Sequence, residues 1–370
     1  MDRERASDRN EAVDRLLAGA AGAADAARNR MDAPPAALLA APDCRLAEPT
    51  RIAVRDLLRA VAGVVEDDLR QRLIEGLGDG IPAVLGASLA AATVPIALPI
   101  LVQAGLLADG ELVASLVRRV EEQRLADRLR AAQSAAGASL TDTWLQSGDE
   151  PLSAMTMALI VALSGREQRG ADAPLTRTDL SADLQYRLVW RVAAALRHHV
   201  LATAAMPPAA ADRALATAAT ALLAGYDESD TVQGRAMQIA RRLHQRGRLD
   251  DALIARAAGE GLVAFLVAAL AVRVRIEFAS ALEMVTDPEG SRLTILLRGA
   301  GIGRSVSAAI LRAIGAALRT DDALMRVHAE AFDWLSPEAA RETLAFSRCD
   351  PEYRAAAGAI AAHHVDRRGA

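Results

Sequence analysis

No lysine occurs in the 370 residues, so all 43 basic residues are arginines. That absence removes several chemistries at once: a Walker-type phosphate lysine, a kinase strand lysine, a Schiff-base amine and a Ser-Lys dyad. Cysteine is nearly absent too. Cys44 and Cys349 lie far apart with no CxxC, which fits two free thiols in a reducing cytoplasm rather than a disulfide framework. Aromatics make up only 3% of the chain, too few to line a base-stacking groove. The net charge of −4 gives no general pull toward nucleic acid or an anionic membrane. The opening MDRERASDRNE is too charged for a signal peptide. Strand-like alternation of apolar and polar residues is missing throughout.

What is present is aliphatic and helical. Hydrophobic residues make up 52% of the chain and are mostly Ala, Leu, Val and Ile, which favours helices that approach closely. The clearest helix is Ser181 to Leu201. At about 100° per residue, Leu184, Leu188, Val189, Val192, Ala195, Leu196, His199 and Val200 share one wide face. Tyr186 and Trp190 form a second, narrower stripe expected to meet a neighbouring hairpin. Such a helix is a middle layer.

Around it the chain divides into four parts. Residues 1–48 hold a weakly amphipathic helix over 8–30, with Val13, Leu16 and Leu17, and a Pro/Ala-rich linker. Helical-repeat regions span 49–165 and 179–362, separated by the polar Ser164–Thr178 stretch, and 363–370 is a tail. Thr50 is read as the cap of a helix with Leu57, Leu58, Val61 and Val65 inward and Glu66 and Arg70 outward. Residues 80–108 contain no charge and are long enough to span a bilayer. Pro82, Pro95 and Pro99 argue instead for two short buried helices, with Pro95 at the start of the second. Further boundaries are read at an Asp230–Gln233 capping box, Gly247, Gly259–Gly261, Asp287-Pro288, Ser336-Pro337-Glu338 and Asp350-Pro351-Glu352.

A pattern Leu-x-Asp-x-x-Leu/Ile recurs at Leu107, Leu140 and Leu249, the first two copies 33 residues apart, near the period of two-helix repeats. The expected fold is therefore all-α: HEAT-like stacked antiparallel helical hairpins, an α-solenoid or compact helical array.

No catalytic constellation stands out. Gly299, Gly301 and Gly303 miss the dinucleotide-loop spacing, since Arg304 and Val306 occupy the positions of the third glycine, and they read as a helix end. His199 lies on the apolar arc with no metal-binding residue one turn on, so it reads as a core or boundary histidine. The pairs His198-His199 and His363-His364 diverge by about 100° on a helix and do not chelate. No GxSxG or HExxH occurs.

The basic clusters Arg118–Arg130, Arg241–Arg248 and Arg273–Arg275 are interleaved with acids or lack aromatic neighbours, which argues against nucleic acid. Arg187, Arg191 and His198 on one helix, and Arg241, Arg242 and Arg246 on another, are the candidate partner surface.

Several stretches resemble a known family: AALLAAPDCRLAEPTRIAVRDLLRAVAGVVEDDLRQRL, VPIALPILVQAGLLADGELV, LQYRLVWRVAAALR, and GRLDDALIARAAGEGLVAFLVAALAVRVRI running into RLTILLRGAGI. They are similar to the domain of unknown function DUF2336, helical-repeat proteins typical of alphaproteobacteria, from about Ala36 onward. The resemblance implies a HEAT-like all-α array with no reaction, cofactor or catalytic residue to carry over. The expectation is a cytoplasmic, non-enzymatic interaction or regulatory scaffold that binds another protein, with no cofactor and no metal, and without membrane insertion. Two alternatives stand beside it: a small-molecule binder or enzyme with a pocket near His199, and peripheral membrane association through 80–108 or the N-terminal helix.

Overall fold

The computed structural model describes residues 46–350 apart from 92–93, 108, 134–137, 168–177 and 205, together with a few positions within 13–16 and 353–360. Most of the helix read over 8–30, Cys44, Pro351 and Glu352 of the start read at Asp350-Pro351-Glu352, His363-His364 and the tail fall outside the described residues. Among the described residues the secondary structure is helical, with no strand, so the fold is all-α. In chain order the helices are α1 (Glu48–Leu77), α2 (Ala83–Ala90), α3 (Ala97–Gln103), α4 (Gly110–Ala132), α5 (Leu140–Leu145), α6 (Glu150–Glu167), α7 (Ala182–Thr203) and α8 (Pro208–Ala224). They continue with α9 (Val232–Gln245), α10 (Asp251–Gly259), α11 (Val263–Val274), α12 (Phe278–Val285), α13 (Ser291–Gly299), α14 (Arg304–Leu318), α15 (Asp322–Trp334) and α16 (Pro337–Thr343).

By contact the chain forms two compact units, each discontinuous in sequence. One comprises Met31–Val120 and Leu159–Gly234, the other Met1–Arg30, Glu121–Ala158 and Arg235–Ala370. Each takes in chain from both sides of the polar 164–178 stretch.

In the first unit α7 packs against α1, α2, α3 and α8, the middle position its two-sided pattern predicts. Ser181 caps it by accepting the Leu184 N–H, and its predicted inward residues are buried except His199, which is half-exposed. Tyr186 remains exposed, edge-on to Trp190 with ring centroids 6.3 Å apart, so only Trp190 packs on the core. α1 begins two residues before Thr50, with Pro49 in its first turn. Thr50 is a buried first-turn residue rather than the cap. The α8–α9 boundary also shifts: Thr231, not Asp230, caps α9, its hydroxyl accepting the Gly234 N–H at 3.0 Å. Beside it Asp179 adopts a left-handed backbone (φ 57) and accepts the Val232 N–H at 2.8 Å while pairing with Arg166. Burial pushes the Asp179 carboxyl up, but Arg166, Arg119 and the Val232 N–H outweigh it and hold it below the usual carboxylate range. Tyr226 donates to the Leu180 carbonyl at 2.5 Å, and burial, the largest influence, lifts its phenol to about 12.

In the second unit successive helices from α10 to α15 pack each on the next, and α10 also meets α14. α11 is buried on all sides from Val263 to Ala271, and Phe265 meets Trp144 of α5 edge-on at 4.7 Å. Arginine forks close several helix ends, where the last carbonyls have no partner within the helix. Arg348 donates to the Val274 carbonyl at 3.0 Å, Arg128 to Ala317 at 2.9 Å and Arg298 to Leu335 at 2.6 Å. The Gly259–Gly261 break is where the spacing places it. Gly261 has φ 67, and a Cβ there would lie 2.8 Å from Arg130 Cγ and 2.9 Å from the Ala126 carbonyl oxygen. Gly301, with φ 71, faces open space. The three aspartates of the Leu-x-Asp pattern take different first-turn positions. Asp109 precedes α4 and accepts the Leu112 N–H, Asp142 completes a capping box with Ser139, and Asp251 is the first residue of α10 behind the cap Asp250.

Gly301→Ala is expected to cost about 1–2 kcal/mol, the strain of a left-handed alanine. Gly261→Ala meets the same strain together with backbone overlap and should cost more. Urea midpoints of the two variants check this, and equal losses would show that overlap at Gly261 is relieved at no cost.

Candidate functional site

The first unit concentrates its polar chemistry where α1 meets the charge-free stretch. α1 buries Val54, Leu57, Leu58, Val61, Val65, Leu69 and Leu73 along one stripe, and Glu66 and Arg70, one turn apart, are buried beside it. Both are buried and ion-paired with each other, a correction to the outward placement read from the sequence. Their surroundings explain it. Glu66 accepts the Ile96 N–H at 2.6 Å and the Ala97 N–H at 3.0 Å, which caps the first turn of α3, while Arg70 donates to the carbonyls of Ala91 at 3.1 Å and Val94 at 2.6 Å. The connection from α2 to α3 therefore hangs from two side chains of α1. Pro95 lies just ahead of α3 rather than at its first position, because Glu66 caps the helix further on.

The charge-free stretch folds as the two short helices expected of it, but they are not wholly buried. Leu85 and Leu89 of α2 and Ala97 and Leu101 of α3 face the core. The opposite sides are apolar as well and face outward: Val84 is 68% exposed, Val94 59%, Val102 62% and Leu106 44%. Pro95, Pro99, Val102 and Leu106 recur at helical spacing along one side of α3 and its final turn, all of them exposed. A helix apolar all round is ordinarily buried, and this one is half covered.

A second tie joins α2 to α7. The Ser88 hydroxyl and His199 Nε2 share a hydrogen bond of 2.8 Å, and the Thr203 hydroxyl lies 3.4 Å from the same nitrogen. Burial depresses the His199 pKa, the Arg70 and His198 charges add to the effect, and Glu66 opposes it. The imidazole is thus neutral near pH 7 and suited to a hydroxyl partner.

The candidate arginines are largely engaged. Arg187 and Arg191 both pair with Asp109, at 2.9 Å and 2.8 Å, and Arg187 also reaches Glu111 and Asp183. Burial alone would raise Asp109, but the Leu112 N–H and these two guanidiniums bring it below its ordinary value. His198 is exposed. In the second unit Arg242 donates to Asp149 at 2.5 Å, and that bond is the largest cause of the lowered Asp149 pKa. Arg241 and Arg246 are exposed.

Among the described residues no group of three or more His, Cys, Asp or Glu side chains could hold a metal ion. No helix of theirs is long and apolar enough to cross a membrane. Sequence reasoning missed the Glu66–Arg70 clamp and the outward apolar side of α2 and α3. The available signal was an acid and a base four residues apart at the edge of the apolar stripe.

His328 of α15 is buried, with Nε2 2.6 Å from the Glu289 carbonyl oxygen, and burial lowers its pKa against the pull of Asp287 and Glu289. His199 and His328 are therefore both harder to protonate in the folded chain than at the ordinary value of 6.5. The unfolded chain takes up these protons first, so stability is full above that value and is lost as pH falls through it toward the folded-state values. The melting temperature should drop between about pH 7 and pH 5. Replacing both histidines by Gln should flatten that slope, and an unchanged slope would assign it to other groups.

A family model described as an uncharacterised protein conserved in bacteria (DUF2336) matches residues 96–345, from the Glu66-capped start of α3 to just beyond α16. No curated protein and no solved structure matches. With most of its length and all but its first two described helices inside the match, the chain belongs to the DUF2336 family of bacterial proteins.

Proposed function

We propose that this chain is a non-enzymatic binding protein of the cytoplasm, a HEAT-like array of helical hairpins that presents a preformed surface to another protein. The observation that carries the reading is the outward apolar side of α2 and α3, fixed by the Glu66–Arg70 clamp and the Ser88–His199 tie. A rigid, uncharged surface of this kind lowers the ordering cost of association, the property that separates an interaction site from a loosely packed loop. The chain-order packing from α10 to α15 supports the array reading, and the α10–α14 contact favours its compact form over an open solenoid.

The polar candidates carry unequal weight. His198 on the first unit, and Arg241 and Arg246 on the second, are exposed and offer hydrogen bonds directly. Arg187, Arg191 and Arg242 reach a partner only by exchanging the carboxylates they already hold, so they tune affinity and do not anchor it.

Affinity recovery from native lysate, compared between the unaltered chain and Val102→Asp/Leu106→Asp, tests the reading. Proteins recovered by the former should fall about tenfold or more with the variant, because an unpaired charge would be buried against an apolar partner. Equal recovery by both, or recovery of nothing by either, would remove the surface from consideration.

A further inference from the structure

Hydroxyls within helices ordinarily return their proton to the carbonyl one turn back. Thr156, Thr286 and Thr294 do so here, each donating to the carbonyl four residues earlier. Ser88 of α2 instead meets an imidazole on another helix, its Oγ 2.8 Å from His199 Nε2. Burial does not force this pairing. Ser88 and His199 are both partly exposed, so water would satisfy either group alone. The approach to the hydroxyl is uncrowded along the chain, since Ala87, Ala90 and Ala91 are exposed and carry only methyl groups. Burial, then Arg70 and His198, lower the His199 pKa against the pull of Glu66, so near pH 7 the ring has a lone pair free to take a proton. A fixed positive charge stands close by as well. The buried Arg70 donates to the Ala91 carbonyl at 3.1 Å, three residues past Ser88, where it favours negative charge developing nearby.

We propose that Ser88 is a site of covalent modification: with His199 as the base, its hydroxyl takes an acyl group from an activated carboxylic ester or thioester. Ser88 Oγ bonds to the carbonyl carbon while its proton passes to His199 Nε2, which requires the tautomer protonated on Nδ1. Collapse of the tetrahedral adduct breaks the bond to the donor's oxygen or sulfur, and that leaving group departs with the proton from Nε2. The products are an O-acyl serine and a free alcohol or thiol. A phosphoryl donor fits less well, since its charges would find no cation within the uncharged stretch 80–108. Once acylated, Ser88 has no proton to give His199, and the tie from α2 to α7 is lost. The proposal does not depend on the binding-surface reading, and it asks for one covalent addition, not turnover.

p-Nitrophenyl acetate is the probe, and the lack of lysine removes the side-chain amine that would compete for it. In the unaltered full chain Ser88 should acquire the acetyl group faster than any other serine or threonine, followed by peptide mass spectrometry. That preference should vanish in urea above the unfolding midpoint, a comparison that needs no variant to fold. The rate at Ser88 should rise with pH and reach half its plateau below 6.5, the ordinary histidine value, because burial and Arg70 disfavour the protonated ring. His199→Gln can still hydrogen-bond the hydroxyl but cannot take its proton. It should slow the addition tenfold or more while the circular dichroism stays helical. Addition to Ser88 no faster in the folded chain than in urea overturns the proposal. So does a folded His199→Gln chain that reacts at the unaltered rate, and so does a rate that stays flat across the histidine range.

Discussion

One carboxylate organises the first unit. Glu66 pairs with Arg70 and accepts two backbone N–H groups at the start of α3, while Arg70 also donates to two carbonyls of the same connection. A buried ion pair on its own contributes little net stability, because desolvating both charges roughly offsets their attraction. Here each charge also bonds backbone groups of the connection between α2 and α3. Ala91 and residues 94–96 lie outside the helices and include a proline, so their N–H and C=O groups need partners. The clamp supplies them, and the placement of α2, α3 and the apolar side they present follows from it.

The helices were largely legible in the sequence because their ends are set by local chemistry. Ser181, Gly247, Gly261, Gly301 and Ser336 terminate or start helices as their residue types require, and the α7 face follows from period alone. Boundaries moved where two local candidates competed: Thr231 won over Asp230, and Pro49 brought the start of α1 ahead of Thr50. The repeat pattern was legible as helix starts but not as equivalent positions, since its three aspartates serve as cap, capping-box partner and first-turn residue.

The site was less legible, for a tertiary reason. Whether Arg187 and Arg191 stand free depends on Asp109, which is 78 residues from Arg187 along the chain. Whether Glu66 points outward depends on Ile96 and Ala97, 30 and 31 residues further along the chain. Charge on an apolar stripe signals a buried polar role without naming the partner. Exposure of Val102 and Leu106 is likewise a property of what fails to pack on them, and no period or propensity encodes that.

The arginine forks that close helix ends carry a consequence at the alkaline extreme. In most proteins the side-chain cations lost in alkali are lysines, near 10.4. This chain has none, and the side chains that donate to the Ala91, Val274, Ala317 and Leu335 carbonyls are all arginines, a residue type that does not lose its charge in that range. The buried phenol of Tyr226, lifted to about 12, ionises late as well. The polar framework therefore has no early point of failure in base, and its weak side is acid, where histidines and carboxylates take up protons.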